Sequence, residues 1–76
     1  MKELIEKIAQ ALVDHPENVE VREIEGSEVV VFELRTHPSD LGKVIGKDGR
    51  TVKAIRTLLG TCGMKNHKRY MLEIIE

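Results

Sequence analysis

The sequence predicts an α+β domain with six elements in the order α-β-β-α-α-β. Three observations support this prediction. Apolar residues recur at helical spacing near the N-terminus, valine-rich segments in the middle and an alternating segment at the end have strand periodicity, and two short segments between them again have helical spacing. A chain of 76 residues has the length of one small domain, so we expect residues 1–76 to form a single unit.

The first predicted helix covers residues 3–14. Its apolar residues form one stripe, with charged and polar residues on the other side. Pro16 ends this helix, because the residue before a proline disfavours the helical conformation. The residues of the stripe are Leu4, Ile5, Ile8, Ala9, Leu12 and Val13.

Two predicted strands follow as a hairpin. In residues 19–24, valines alternate with charged residues, and residues 28–36 are rich in β-forming side chains. The segment 25–27 contains a glycine and separates the strands as a turn. One face of the second strand carries Val30, Phe32 and Leu34.

The second half begins with a short predicted helix. Leu41, Val44 and Ile45 have helical spacing, and Ser39 or Asp40 could cap the N-terminus of this helix. A second helix is predicted over residues 50–59, after an interruption at residues 46–49. Its C-terminus is predicted at Gly60, since glycine readily adopts the left-handed conformation that ends helices. A loop at 61–67 and a strand at 68–75 complete the chain.

The charges of the chain divide between its two halves. Although the net charge is only −1, residues 1–34 carry nine acids and three bases, whereas residues 35–76 carry nine bases and four acids. Such a division can give the molecule one positive face and thus an anionic partner.

Composition excludes several classes of protein. One cysteine cannot form an intramolecular disulfide, which argues against a secreted disulfide scaffold. No apolar run approaches the roughly 20 residues of a membrane span. The charged, amphipathic N-terminal segment differs from a signal peptide, so we expect a cytoplasmic protein.

The residues with the clearest chemistry form the glycine loop, residues 46–49, between the two short helices. Glycines let a backbone approach a ligand closely. The loop leads into a helix N-terminus, whose free N–H groups and dipole favour an anion. Lys47, Arg50 and Lys53 add positive charge to the same site. These features predict a clamp for a phosphate backbone.

The sequence from Ile45 to Gly49 resembles the Ile-Gly-x-x-Gly motif that joins two helices in KH domains. The helix and hairpin before it, with a strand at the end, are similar to the type II arrangement. Over its whole length the chain resembles the KhpA (YlqC-like) family of small bacterial stand-alone KH proteins. The matching stretches are residues 20–26, 41–47 and 53–57.

The resemblance implies a three-stranded sheet with the helices on one face. It also implies a non-catalytic protein, without a cofactor, that grips single-stranded RNA, since KH domains hold about four nucleotides with this loop. The partners that the resemblance implies are a second copy of the chain or a larger KH protein of the KhpB/Jag type. The roles that it implies are in cell shape and cell division and in the binding of small RNAs as an RNA chaperone. The expected RNA-binding residues are Lys43, Ile45, Gly46, Lys47, Asp48, Gly49, Arg50 and Lys53.

Two features predict modest affinity and low sequence selectivity. Asp48 places an acid in the clamp, where it repels phosphate. Phe32 and Tyr70 are the only aromatic residues apart from histidines, so bases cannot stack on an aromatic platform and must rest on aliphatic side chains such as Ile45.

Other functions have less support in the sequence than RNA binding. The segment 42–47 superficially resembles a phosphate-binding P-loop, but it has three residues between its glycines where Walker A has four, and an aspartate follows its lysine. No nucleophile–base pair or metal-ligand spacing is evident, which argues against an enzyme. A protein-interaction adaptor with little RNA affinity remains the alternative.

Overall fold

The computed structural model describes all 76 residues, Met1–Glu76, and confirms the predicted order of elements. Three short 3₁₀ turns lie between them, at Pro16–Asn18, Pro38–Asp40 and Lys47–Gly49. The helices and strands are α1 (Lys2–Leu12), β1 (Glu20–Glu25), β2 (Val29–Arg35), α2 (Leu41–Ile45), α3 (Arg50–Lys65) and β3 (Arg69–Ile75).

The three strands form one mixed sheet in the order β1-β2-β3. β1 and β2 are antiparallel, with Val21 opposite Leu34. β2 and β3 are parallel, with Phe32 opposite Leu72, so the chain between them must cross from one end of the sheet to the other. The helices α2 and α3 make this crossing.

The core lies between one face of the sheet and the helices. Alternate residues of β2 point to this face, which is why Val30, Phe32 and Leu34 are buried as predicted. Phe32 is also in edge-to-face contact with Tyr70, with ring centroids 5.5 Å apart. The core consists of eleven buried residues: Ile5, Ala9, Val21, Val30, Phe32, Leu34, Val44, Val52, Ile55, Leu59 and Leu72.

The other face of the sheet has no covering element. Exposed or half-buried side chains from all three strands lie on it, including Ile24 and Met71. Helix α1 also buries fewer apolar side chains than the apolar stripe in its sequence predicts, because Leu4 and Leu12 at the edges of the stripe remain exposed. A membrane-spanning helix, which needs a long apolar stretch, is not found among the helices of this structure.

The prediction that the second helix ends at Gly60 is wrong, and the predicted loop at 61–67 is largely helical. Gly60 lies inside α3, which continues for another turn and a half to Lys65. The helix ends in a Schellman motif: Lys68 N–H donates to the Gly63 carbonyl at 2.9 Å, and His67 N–H donates to the Met64 carbonyl. His67 adopts the left-handed conformation that Gly60 was expected to supply (φ 56°).

Gly63 lies where α3 packs on the start of β3. A Cβ atom at this position would meet the Lys68 carbonyl oxygen at 2.5 Å. A Cβ at Gly60 would meet no atom within 4 Å. The two helical glycines therefore have different roles, since only Gly63 is required by the close contact between α3 and β3.

Alanine at each of these glycines should have opposite effects. Gly60→Ala should raise the free energy of unfolding by roughly 0.5–1 kcal/mol, because alanine has the higher helix propensity and the site is open. Gly63→Ala should lower it by about 1–3 kcal/mol, since α3 and β3 must separate to accommodate the methyl group. Urea unfolding followed by circular dichroism measures both changes. Equal effects of the two substitutions would contradict this account.

Candidate nucleic-acid interface

The glycine loop forms a tight turn between α2 and α3. Gly46 has φ 78° and ψ 168°, and Gly49 is left-handed with φ 73°. A Cβ at Gly46 would meet the Thr51 backbone nitrogen at 2.9 Å and would overlap the Thr51 side chain. At Gly49 the nearest atom to a Cβ is 3.9 Å away, in Val52. Gly46 is thus required by both conformation and space, and Gly49 by conformation alone.

The backbone of the glycine loop leaves two donors free. The N–H groups of Gly46 and Gly49 donate to the carbonyls of Gly42 and Gly46, at 2.9 and 3.1 Å. No turn hydrogen bond spans Gly46, and the N–H groups of Lys47 and Asp48 donate in none of the loop, cap or side-chain hydrogen bonds. Because both residues are exposed, these donors can bind an oxygen ligand from solvent.

Asp48 itself has a left-handed conformation, with φ 57° and ψ 24°. Aspartate and asparagine adopt this conformation more readily than most residues. The carboxylate forms no ion pair or hydrogen bond within the chain, so its negative charge is uncompensated beside the two free donors.

The predicted basic residues differ in what they contact. Lys47, Arg50 and Lys53 are exposed, and none of them has an acidic group within 4.0 Å. Lys43 instead lies 3.1 Å from the Asp14 carboxylate and 3.7 Å from that of Asp40. The structure therefore places three cations without an acidic partner at the loop and the first turns of α3, whereas the ammonium of Lys43 is paired with two carboxylates.

Ile45 is half-buried and packs against the core beside the fully buried Val44. It therefore braces α2 while leaving part of its side chain at the surface next to Gly46.

Arg56 is a basic residue outside the predicted site, one turn beyond Lys53. Its Nη2 donates to the carbonyl of Leu72 at 3.3 Å, so the side chain spans from α3 to β3. It has no carboxylate partner. The spacing of Arg50, Lys53 and Arg56 by three residues is visible in the sequence, but the approach of β3 to this helix face is not.

The start of α2 is held by Asp40, the one fully buried charged side chain. Its carboxylate accepts hydrogen bonds from the backbone N–H groups of Asp14 (3.3 Å) and His15 (3.0 Å), and the ring Nδ1 of His15 lies 3.1 Å away. Asp40 stands at the N-cap position of α2, but its side chain caps nothing there. The prediction that Ser39 or Asp40 caps this helix is therefore wrong, because the carboxylate is used to tie α2 to the end of α1.

These contacts set the pKa values of the cluster. Burial raises the pKa of Asp40, but the hydrogen bonds from Asp14 and His15 outweigh burial, and the pKa lies below its ordinary value. The hydrogen bond to the Asp14 carboxylate raises the pKa of Lys43. Both groups are therefore charged at neutral pH.

The comparisons with known proteins identify the family. The sequence profile described as "KhpA/KhpB, KH domain" matches residues 2–74. The chain belongs to the KhpA/KhpB KH-domain family. The α+β fold of a type II-like KH domain, expected from the sequence, is thereby confirmed.

Several relatives are similar over their full length. The protein named "RNA-binding protein KhpA" of Clostridium perfringens is 52% identical over 75 residues, covering 99% of this chain and 100% of the relative. The protein of the same name from Aquifex aeolicus is 51% identical over 76 residues, covering 100% of this chain and 96% of the relative. The protein of the same name from Chlamydia pneumoniae is 47% identical over 76 residues, covering 100% of this chain and 97% of the relative. No solved structure matches the chain.

The low pKa of Asp40 predicts a pH-dependent stability. An aspartate in the unfolded chain has a pKa near 3.9. Since the folded value is lower, the stabilisation is complete above about pH 5 and is lost as the pH falls through the folded pKa. Asp40→Asn should unfold at lower urea concentration at pH 7 and should show a smaller further decrease towards about pH 3 than the wild type.

Asp14→Asn is the matched control for this measurement. It removes an exposed carboxylate that pairs with Lys43 and keeps the backbone donor to Asp40. Its effect on the urea midpoint should be small. Identical pH profiles for Asp40→Asn and the wild type would rule out the buried carboxylate as a source of the pH dependence.

Proposed function

We propose that this protein is a non-catalytic, cytoplasmic RNA-binding protein that holds the backbone of a short single-stranded RNA with the glycine loop. The observation that carries the proposal is the pair of unused N–H groups of Lys47 and Asp48 in the turn that leads into α3. Free backbone donors at a helix N-terminus are suited to phosphate oxygens. The relatives, each named as an RNA-binding protein, agree with this function.

The proposed contacts follow the order of the residues along the loop and α3. Gly46 and Gly49 allow the RNA backbone to approach, and the side chains of Lys47 and Arg50 bind phosphates. Lys53 extends the positive surface by one turn. The exposed part of Ile45 forms the aliphatic wall against which bases rest.

Lys43 has a different part in this proposal. Its ammonium is held by Asp14 and Asp40, so a phosphate would have to compete with two carboxylates. Its contribution to the RNA site is therefore smaller than that of Lys47.

We also propose that the protein acts as a homodimer or together with a larger KH protein of the KhpB/Jag type. Exposed Leu58 and Met64 on α3 and Ile24 and Met71 on the sheet provide apolar surface for such partners. The same surfaces favour the second candidate function, a protein-interaction adaptor with little RNA affinity. Measurement of RNA binding separates the two functions.

The phosphate clamp is tested with Lys47→Asp, which makes the loop doubly acidic. Replacing an attraction of about 1 kcal/mol by a repulsion of similar size should weaken binding by about thirtyfold or more. Fluorescence anisotropy of a labelled single-stranded RNA at several salt concentrations measures this change. For the wild type, a slope of log K against log salt that indicates roughly two to four phosphates is expected, at about −0.7 for each.

Lys2→Asp is the control, because it makes the same change of charge at an exposed position in the first turn of α1, where an acid suits the helix dipole. It should keep the affinity of the wild type. If folded Lys47→Asp binds RNA as well as Lys2→Asp does, the clamp is wrong. If no variant binds RNA, the adaptor function is favoured.

Asp48→Asn should strengthen RNA binding. The substitution removes the uncompensated charge, and asparagine tolerates the left-handed conformation of this position. A repulsion of up to about 1 kcal/mol corresponds to a gain of about two- to fivefold in the same anisotropy measurement. Thermal unfolding of the variant should match that of the wild type. An unchanged affinity would mean that the carboxylate lies away from the path of the phosphates.

A further inference from the structure

The largest cleft of the molecule lies between the C-terminal half of α3 and the start of β3. It has a volume of about 480 Å³, whereas the two other clefts have about 240 and 90 Å³. Gly60 and Met64 of α3 and Tyr70 of β3 are among the residues that line it. A cleft of this size can hold one small organic molecule.

Nothing in the packing of the chain requires a glycine at position 60. Gly60 lies inside α3, and a Cβ atom there would meet no atom within 4 Å. Glycine nevertheless lowers the stability of a helix relative to alanine. Gly63, by contrast, is required by the contact with β3. A residue that weakens its helix and leaves the backbone bare beside a cleft indicates a position where a ligand approaches the chain closely.

Tyr70 supplies the cleft with an aromatic ring that is held in place. The ring is in edge-to-face contact with Phe32, and its hydroxyl accepts a hydrogen bond from Asn66 Nδ2 at 2.9 Å. Tyr70 is only half-buried, so part of the side chain remains accessible. The sequence predicts no aromatic platform for bases, whereas this cleft contains one fixed ring. Together with the flexible and 79% exposed side chain of Met64, this ring suits a flat apolar ligand.

The charges around the cleft suit a nucleotide. Lys68 lines the cleft, but its ammonium is paired with the Glu25 carboxylate at 2.7 Å. Glu28 and Arg69 also line the cleft, and both are exposed without an ion-pair partner. A carboxylate can accept a hydrogen bond from the exocyclic amine of a base, and a guanidinium binds phosphate. The cleft thus offers a ring, an acceptor and a cation to one nucleotide.

The cleft lies on the same side of α3 as the basic residues that follow the glycine loop. Lys53, Arg56, Gly60 and Met64 fall within about 80° of the helix circumference, since successive residues are about 100° apart. Gly60 is about 15 Å along the helix from Arg50, at about 1.5 Å per residue. Lys53 and Arg56, both without a carboxylate partner, lie between them. A strand that leaves the loop along this face would pass two cations and reach the cleft.

We propose that this cleft binds one nucleobase of the RNA, beyond the nucleotides that the glycine loop holds. The base lies on the bare backbone at Gly60 beside Tyr70, its amine donates to Glu28, and the adjacent phosphate lies near Arg69. Bases with an exocyclic amine, such as adenine and cytosine, are preferred over uracil, which has none. This site rests on the proposed function, since the loop must bring the strand to it.

Filling the cleft tests the proposal. Gly60→Leu places a side chain over the bare backbone and should fold, because the site is open and leucine is a good helix former. In fluorescence anisotropy it should bind an oligo(A) of about four nucleotides as the wild type does, since the loop alone holds that length. It should bind an oligo(A) of about ten nucleotides about tenfold more weakly than the wild type, which corresponds to the loss of one stacked base.

Thr61→Leu is the matched control, because it adds the same side chain at the next position of α3, which is exposed and outside the cleft. It should leave both affinities unchanged. Lys47→Asp should weaken the binding of both RNAs, so a defect confined to the longer RNA belongs to the cleft alone. If Gly60→Leu binds the longer RNA as well as Thr61→Leu does while Lys47→Asp binds weakly, the cleft is not a base site and the clamp stands.

Gly60→Ala is a second variant that separates a ligand site from a loss of structure. It should unfold at higher urea concentration than the wild type, because alanine has the higher helix propensity. It should nevertheless bind the longer RNA more weakly, because its methyl group covers the backbone at the cleft. A more stable variant with the RNA affinity of the wild type would count against the proposal.

Glu28→Ala tests the contact with the base. The wild type should bind an oligo(A) of about ten nucleotides at least about threefold more tightly than an oligo(U) of the same length, and this variant should lose the preference. Glu17→Ala removes the same charge at an exposed position outside the cleft and should keep the preference. A preference that is the same in Glu28→Ala and Glu17→Ala overturns the base contact.

A free nucleotide has the same chemistry as a nucleotide of RNA, and titration with adenosine monophosphate separates these two sources. The amide chemical shifts of Gly60 and Tyr70 in NMR spectra report whether the cleft is occupied. Because a single nucleotide is not anchored by the loop, saturation is expected only at millimolar or higher concentration. Saturation at micromolar concentration would assign the cleft to a free nucleotide and overturn the proposal.

Discussion

The position of the glycine loop depends on the buried carboxylate of Asp40. Helix α2 has only five residues, and a helix so short has little stability of its own. Asp40 fixes its first turn to the chain that follows α1, through the N–H groups of Asp14 and His15. At the other end, Val44 is buried in the core. The loop therefore begins from a helix that is held at both ends by tertiary contacts.

The loop is equally constrained on its far side. Because Gly46 packs directly on the backbone of Thr51, the turn cannot widen without moving the start of α3. The tight turn is also what leaves the N–H groups of Lys47 and Asp48 without carbonyl partners. The same geometry that stabilises the contact between α2 and α3 thus produces the donors that suit a phosphate.

The sequence was sufficient to predict the order of the elements because each strand and helix has a clear period in its apolar residues. The glycine loop was also evident, since two glycines at this spacing stand between helical segments. The end of α3 was not predictable from local pattern. Gly60 has the properties of a helix terminator, but the contact of Gly63 with β3 and the Schellman hydrogen bonds determine where the helix ends.

The role of Asp40 was missed for a related reason. A polar residue just before a helix is usually its cap, and nothing near Asp40 in the sequence indicates Asp14 and His15 as its partners. The exposed Leu4 and Leu12 show the same limit, because the width of a stripe does not tell how much of it the sheet can cover. In both cases the deciding contact joins residues that are distant in the chain.

The basic half of the sequence does not become a uniformly positive face. Lys43 and Lys68 are paired with Asp14 and Glu25 from the acidic half, and the net charge of the molecule stays near zero. Beyond a screening length of about 8–10 Å the protein therefore attracts RNA only weakly. In the proposed function, recognition therefore depends on the few free cations beside the glycine loop, which act at short range. In the proposed homodimer, two such loops would offset the modest affinity expected of each.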